Sequence, residues 1–179
     1  MIRHIIAAQE IRILFDEIDL EEDANISIIL TRSAQICIDN ASELQNVLRI
    51  IVDESLDYSE SCETYVDMIC ALCARYPEFP TDDSDNRPDT FNRILNNILE
   101  EEYDIFHEWT FDNNPEDMMS REIWAEGFVT LIVHLFLRGL IAQQILARVM
   151  ENMLGLISIR ERARTKASLP AMRCFLARI

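Results

Sequence analysis

The sequence predicts an all-α fold, a solenoid of antiparallel helix pairs. Across residues 119–154, apolar side chains recur at three- and four-residue steps, so they fall on one face of each of two consecutive helices. Hydrophobic residues make up 49% of the chain and only three of its 179 residues are glycine, which argues against disorder and against a turn-rich β fold. The spacing of the breaks suggests helix pairs of about 40 residues, the length of a HEAT-type repeat.

Four helices are predicted before the longest loop. They cover residues 3–19, 26–38, 42–55 and 59–76, with Ser42 as the N-cap of the third and Ser59 or Ser61 as the N-cap of the fourth. In the first, Ile13 and Leu14 are among the expected core residues. The pattern of the second fits helix or strand, and its helical neighbours favour helix. The fourth stops before Pro77, because the residue that precedes a proline is disfavoured in helical backbone.

The second half is predicted to hold a long helix, a helix pair and a last short helix. Residues 77–88 form the longest loop, and Asp89 or Thr90 caps a helix that ends near Thr110. After a second loop over 111–116, two helices joined at Arg138 and Gly139 fill residues 119–154. The chain then breaks near Gly155, and a last helix follows Pro170. The 179 residues are expected to form one helical-repeat domain, with an acidic body over 1–159 and a basic terminal segment with the last helix over 160–179.

Gly127 lies inside the first helix of the 119–154 pair. Glycine there costs about 1 kcal/mol relative to alanine, so its presence predicts that a neighbouring helix passes close by. The expected core comprises Leu48, Ile51, Tyr65, Met68, Leu95, Ile98, Phe128, Leu131, Leu135 and Ile145.

The charge is unevenly distributed along the chain. The net charge is −16, from 16 Lys and Arg against 32 Asp and Glu. Residues 160–179 hold six basic residues and a single acid, Glu161, which leaves 10 basic and 31 acidic residues, or −21, on 1–159. A body this acidic repels phosphate backbones and attracts basic protein surfaces.

No constellation of residues predicts catalysis, a metal site or a cofactor, so we expect a protein that is not an enzyme. Cys70 and Cys73 match C-x-x-C, but they lack the second ligand pair of a zinc site and the strand–helix junction of a redox motif, which favours core packing. The histidines are scattered, and the acidic runs lack calcium-loop spacing. No apolar run is long enough to cross a membrane.

Five segments of the chain carry a family resemblance. They are LQNVLRIIVDES (44–55), YSESCETYVDMICALC (58–73), TFNRILNNILEEE (90–102), EGFVTLIVHLF (126–136) and LPAMRCFLARI (169–179). In this order they resemble the middle domain of eukaryotic translation initiation factor 4G, whose signature G-N-x-R-F-I-x-E-L-F is similar to the fourth segment. Phe128, Thr130 and Val133 depart from that signature, which has Asn, Arg and a second small residue at these positions.

The resemblance implies a scaffold in translation initiation that docks and stimulates a DEAD-box RNA helicase of the 4A type, in contact with other translation-factor proteins. It implies a cytoplasmic protein, with the nucleus as the alternative. Two further functions stay open. One is direct RNA binding, which the acidic body disfavours. The other is a regulatory protein-interaction module in translation or splicing that has no helicase partner.

Two regions are the candidate binding sites. At two loops, carboxylates lie beside apolar groups that we expect to be exposed, and this combination predicts a surface that binds a partner protein. The predicted residues are Asp19, Glu21, Glu22, Glu78, Phe79, Asp82 and Asp83. The basic stretch Arg160, Arg162, Arg164 and Lys166 either touches RNA phosphates or folds back on the acidic body, and we favour the second. Apolar residues of the last helix offer a surface for self-association.

Overall fold

The chain is predominantly helical, which confirms the all-α prediction. The computed structural model describes residues 4–16, 23–79, 89–111 and 118–150, and helices account for 82% of the residues whose conformation it gives. The helices in chain order are α1 (His4–Asp16), α2 (Asp23–Ser33), α3 (Ala41–Asp57), α4 (Cys62–Arg75), α5 (Phe91–Phe111), α6 (Met118–Leu137) and α7, which covers 143–150 within the described part. A 3₁₀ turn, Ser59–Ser61, precedes α4.

The chain divides into two compact units. Unit 1 comprises Met1–Glu54 and Glu63–Glu100, and unit 2 comprises Ser55–Cys62 and Glu101–Ile179. Both α3 and α5 contribute residues to each unit. The prediction of one domain over 1–179 stays a prediction.

The second helix ends earlier than its sequence pattern indicates. Residues 26–38 were expected to be helical, whereas α2 ends at Ser33 and residues 36–39 are extended. The Ser33 hydroxyl donates to the Leu30 carbonyl at 2.9 Å, an alternative to regular helix at this point. In the extended segment, Ile36 and Ile38 are buried while Cys37 and Asp39 are exposed, so the apolar residues alternate with exposed ones as in a strand.

The N-terminus of α3 is capped by Asn40, not by the predicted Ser42. The Asn40 Oδ1 atom accepts a hydrogen bond from the Glu43 backbone N–H at 2.9 Å. The Glu43 carboxylate in turn accepts from the Asp39 backbone N–H at 2.9 Å, which makes a variant of the reciprocal capping box. This pairing explains why Glu43 is buried although it is charged.

A two-stranded ribbon closes the base of the long loop, and it was not predicted from the sequence. Strand β1 (Glu78–Phe79) pairs antiparallel with β2 (Asp89–Thr90) in the register Glu78 to Thr90 and Phe79 to Asp89. The Phe91 N–H also donates to the Pro77 carbonyl at 3.0 Å. The Thr90 hydroxyl accepts from the Arg93 N–H at 3.3 Å, which confirms Thr90 as the cap of α5.

The core of unit 1 is built from the apolar faces of α1, α3, α4 and α5. The predicted core residues Leu48, Ile51, Tyr65, Met68, Leu95 and Ile98 are all buried here, as predicted. Phe15 meets Tyr65 edge to face, with ring centroids 5.4 Å apart, so the aromatic pair joins α1 to α4. Leu14 is buried, but Ile13 is 44% exposed, because the buried face of α1 runs through Ala7, Ile11 and Leu14 at helical spacing.

In unit 2, the middle of helix α6 is buried on every side. We expected a single apolar face, and the structure buries each residue from Gly127 to Val133. A helix that is apolar all round is typical of a central position in a core. Phe128, Leu131 and Leu135 are buried as predicted, whereas Ile145 of α7 is only partly buried.

Gly127 lies where α6 meets the end of α3, as its position in the sequence predicted. A Cβ atom at Gly127 would lie 2.9 Å from both the Cα and the carbonyl carbon of Leu56, and closer still to the Leu56 carbonyl oxygen. Because these are backbone atoms, no side-chain rotation relieves the overlap. The close approach of α6 to Leu56 therefore requires glycine.

Gly139 terminates α6 with a left-handed turn. Its φ of 72° is a conformation that glycine adopts without strain. The Leu140 N–H donates to the Leu135 carbonyl and the Gly139 N–H to the Phe136 carbonyl, both at 2.9 Å, and this pair of bonds defines a Schellman motif. The predicted break at Arg138 and Gly139 is confirmed.

Candidate interaction surface

Of the seven predicted partner-binding residues, the structure describes Glu78 and Phe79. Glu78 is exposed on β1, whereas Phe79 is buried at 7% exposure and its ring stacks on Tyr76 with centroids 5.8 Å apart. The expectation that Phe79 is an exposed apolar group was wrong, because alternate residues of a strand face opposite sides and the ribbon turns Phe79 inward. The other candidates lie outside the described residues, namely Asp19, Glu21, Glu22, Asp82, Asp83, Arg160, Arg162, Arg164 and Lys166.

Tyr76 ties the end of α4 to the extended segment 36–39. Its hydroxyl accepts a hydrogen bond from the Ile38 N–H at 3.1 Å and donates one to the Ile36 carbonyl at 2.7 Å. The Tyr76 hydroxyl thus satisfies one backbone donor and one backbone acceptor of this segment, which does not pair with either strand of the described ribbon.

Arg75 reinforces the same junction. Its guanidinium donates to the Ala34 carbonyl and lies over the Tyr76 ring, 5.4 Å from the centroid. The Phe79 ring stacks on Tyr76 as well, so the backbone from 34 to 38 and the strand β1 are anchored on one tyrosine. Glu78 precedes Phe79 on β1, so the packing of Phe79 against Tyr76 holds the backbone from which the exposed Glu78 side chain projects.

Replacing Tyr76 with phenylalanine is expected to lower the free energy of unfolding by about 1–2 kcal/mol. The substitution keeps the ring stacking and leaves the Ile36 carbonyl and the Ile38 N–H without their partner. Urea unfolding followed by far-UV circular dichroism measures the loss. Tyr58→Phe is the matched control, since Tyr58 is 50% exposed and should change stability by less than about 0.5 kcal/mol. Equal effects of the two substitutions would show that the Tyr76 hydroxyl does not hold the segment.

In unit 2, an acidic turn joins α3 to α4. We use this name for Asp57, Tyr58 and Glu60, all of which are exposed, Tyr58 by 50%. Helix α3 has no basic residue in its last turn, and it ends at Asp57. A carboxylate at the C-terminal end of a helix lies beside the partial negative charge of the helix dipole, which disfavours it. The site therefore combines an exposed aromatic ring with negative potential.

The acidic turn rests on α6. The 3₁₀ residues Ser59–Ser61 pack against α6, and Gly127 admits the backbone of Leu56 to the same helix. Ile123 lies one helical turn before Gly127 on α6 and is 49% exposed. Asp57, Tyr58 and Glu60 are not among the site residues predicted from the sequence. The sequence signal that could have indicated them is the run D-Y-S-E, which lies between two predicted helices.

An aromatic ladder joins α5, α6 and α7 in unit 2. The Trp124 ring stacks on Phe128 with centroids 5.3 Å apart, and Phe128 lies 6.4 Å from Tyr103. The Arg148 guanidinium lies over the other end of the ladder, 5.7 Å from the Tyr103 centroid. The ladder explains how Phe128, at a position where the resembled signature has a polar residue, is accommodated in the core.

The cysteines of the C-x-x-C pair are both partly buried within α4. Burial raises the pKa of the Cys73 thiol, so this group stays protonated and weakly nucleophilic at neutral pH. Across the described residues, no three or more His, Cys, Asp or Glu side chains converge in a way that would hold a metal ion. None of the described helices combines the length and the apolar character that a bilayer crossing requires.

Neither a protein-family model nor a curated protein sequence matches the chain.

Proposed function

We propose that this chain is a non-enzymatic scaffold in translation initiation, a HEAT-type helical-repeat module similar to the middle domain of initiation factor 4G, which docks a DEAD-box RNA helicase of the 4A type. In this proposal the helical surface holds the two lobes of the helicase near one another. Stacked helix pairs suit this task, because a solenoid presents a rigid, extended binding surface.

The observation that best supports the proposal is the meeting of α3 and α6 at Gly127. The segments 44–55 and 126–136 carry two of the five resemblances, and they lie on α3 and α6. Gly127, which matches the first glycine of the signature, is required by the approach to Leu56, directly after the first segment. Two segments that each resemble the family thus pack against one another through a glycine of the signature, and this supports an architecture shared with the initiation factor 4G middle domain.

The departures from the signature lie inside the protein. Phe128, Thr130 and Val133 are all buried, Thr130 completely, so the substituted positions act on core packing and do not present side chains to a partner. The Thr130 hydroxyl has no hydrogen-bond partner among the described residues, and a buried hydroxyl without a partner lowers stability. Partner binding in this proposal relies on exposed carboxylates.

The charge distribution favours a basic protein partner over RNA. The 31 acidic residues of 1–159 repel phosphate, whereas they attract a basic lobe and steer its approach. Binding of the purified chain to a 4A-type helicase, together with a rise in its RNA-dependent ATPase rate, tests the proposal. No binding to the helicase, or no ATPase stimulation on binding, would overturn it. A gel shift with single-stranded RNA over a range of salt concentrations tests the RNA-binding alternative.

Charge reversal at Glu21, Glu22, Asp82 and Asp83 is expected to slow association with the basic partner about tenfold at low salt and to flatten its salt dependence. Long-range attraction contributes mainly to the association rate, and salt screens it. Stopped-flow or surface-based kinetics measures the rate. Reversal of Glu10 and Asp39, which are exposed in unit 1, serves as the matched control for reversal of Glu21 and Glu22 alone, since the two pairs change the net charge by the same amount. An unchanged association rate at low salt would remove the four residues from the interface.

A further inference from the structure

We infer that the acidic turn of unit 2 is the docking site of the chain's own basic segment, Arg160 to Lys166. The observations behind it are the exposure of Tyr58, the charge of Asp57 and Glu60, and the composition of residues 160–166. The inference is independent of the proposed helicase partner.

The acidic turn has the chemistry of a cation-binding surface. Tyr58 offers an exposed aromatic face, and a guanidinium or ammonium group over such a face is attracted by the ring. Asp57 and Glu60 flank the ring in sequence and are exposed.

The end of α3 adds to the attraction. Its last carbonyl groups give the helix terminus a partial negative charge, and Asp57 stands at that terminus with no basic residue in the last turn. A cation bound there removes an unfavourable carboxylate–dipole interaction and gains two carboxylate interactions. An acidic side chain at this end of a helix is thus stabilised by an occupant that carries positive charge.

The basic segment is the occupant whose charge fits the acidic turn. Residues 160–166 hold Arg160, Arg162, Arg164 and Lys166 against Glu161, whereas 1–159 carries a net charge of −21. Nine residues lie between Met150, at the end of the described part, and Arg160, so the basic segment follows the described part of unit 2 closely along the chain. Because the basic segment and the acidic turn belong to one chain, their association is intramolecular, and it requires less intrinsic affinity than the association of two separate molecules.

The chain offers an unusually direct test, because Lys166 is its only lysine. A zero-length carbodiimide reagent joins an amine to a carboxylate only when the two are in contact. Treatment of the purified full chain, followed by digestion and mass spectrometry, is expected to join Lys166 to Asp57 or Glu60. Coupling to the neighbouring Glu161 reports that the reagent is active. A one-to-one mixture of ¹⁴N- and ¹⁵N-labelled chains distinguishes docking within one chain from docking on a second copy.

Two sets of variants sharpen the result. Replacing Arg160, Arg162 and Arg164 with serine retains Lys166 and is expected to lower the yield of the Lys166 cross-link about fivefold, as is Tyr58→Ala. Arg173→Ser with Arg178→Ser removes positive charge from outside the segment and should leave the yield unchanged. In the converse experiment, Asp57→Asn with Glu60→Gln should speed tryptic cleavage within 160–166 about fivefold, while Asp39→Asn with Glu78→Gln in unit 1 should not.

Three outcomes would overturn the inference. They are cross-links of Lys166 to carboxylates of unit 1 alone, cross-links to the acidic turn only between differently labelled chains, and coupling to Glu161 with no contact to the acidic turn. Failure of helicase binding would leave the cross-link in place, because the cross-link is measured on the isolated chain. The two proposals therefore fail separately.

Discussion

Gly127→Ala is expected to lower the free energy of unfolding of unit 2 by about 3 kcal/mol, toward the upper end of the cost of overpacking. The added methyl group would overlap the backbone of Leu56, and relief requires that α6 move away from the end of α3. Alanine gains about 1 kcal/mol in helix propensity, which offsets only part of this cost. Both tryptophans, Trp109 and Trp124, lie in unit 2, so urea unfolding followed by tryptophan fluorescence reports this unit selectively.

Gly139→Ala is the matched control for this substitution. A Cβ atom at Gly139 meets no other atom within 4 Å, so its cost comes only from the positive φ and should be about 1–2 kcal/mol. Gly139→Asn should cost less than Gly139→Ala, since asparagine tolerates the left-handed region. A loss at Gly127 no larger than that at Gly139 would show that the two helices do not meet at this distance in solution.

The sequence predicted α6 and its glycine well because both depend on nearby residues. Apolar periodicity marks the helix, and a glycine within it indicates a close packing partner. What the pattern missed was the extent of burial, since a helix that is apolar all round and a helix with one apolar face differ only at a few positions, such as Val129 and Val133. Those positions are decided by how many neighbours surround the helix, which periodicity does not encode.

The helix ends were harder to predict than the helices. Ser42 and Asn40 are both good N-cap residues, and the choice between them depends on the carboxylate of Glu43, which reaches back to the Asp39 N–H. The early end of α2 depends on Tyr76, which is 38 residues away from Ile38 and holds the extended segment by its hydroxyl. Contacts between residues so far apart in sequence leave no local signal.

For the candidate interaction surface, the sequence predicted the negative charge but not which residues are exposed. Acidic composition indicated a surface for basic groups, and exposed Glu78 agrees with that. The burial of Phe79 was not foreseeable, since it follows from a ribbon whose two strands, β1 and β2, are separated by residues 80–88. The acidic turn was overlooked because Asp57, Tyr58 and Glu60 are ordinary turn residues. Their significance comes from the end of α3 and its contact with α6.

Leu131→Ala is expected to lower the free energy of unfolding of unit 2 by about 2–5 kcal/mol. Leu131 is completely buried in the middle of α6, and the seven residues from Gly127 to Val133 are all buried with it. Removal of the side chain loses its transfer free energy and leaves a cavity, which a helix enclosed on every side is poorly able to close. The cost should therefore lie in the upper half of that range.

The measurement is again urea unfolding by tryptophan fluorescence, with the slope of the transition unchanged and the midpoint lowered. Leu137→Ala is the matched control, because Leu137 belongs to the same helix and is 66% exposed. It should change the free energy of unfolding by less than about 0.5 kcal/mol. Equal losses at the two positions, or a loss below about 1 kcal/mol at Leu131, would mean that α6 is not the central helix of this unit. The all-round burial on which both the Gly127 contact and the aromatic ladder depend would then be wrong.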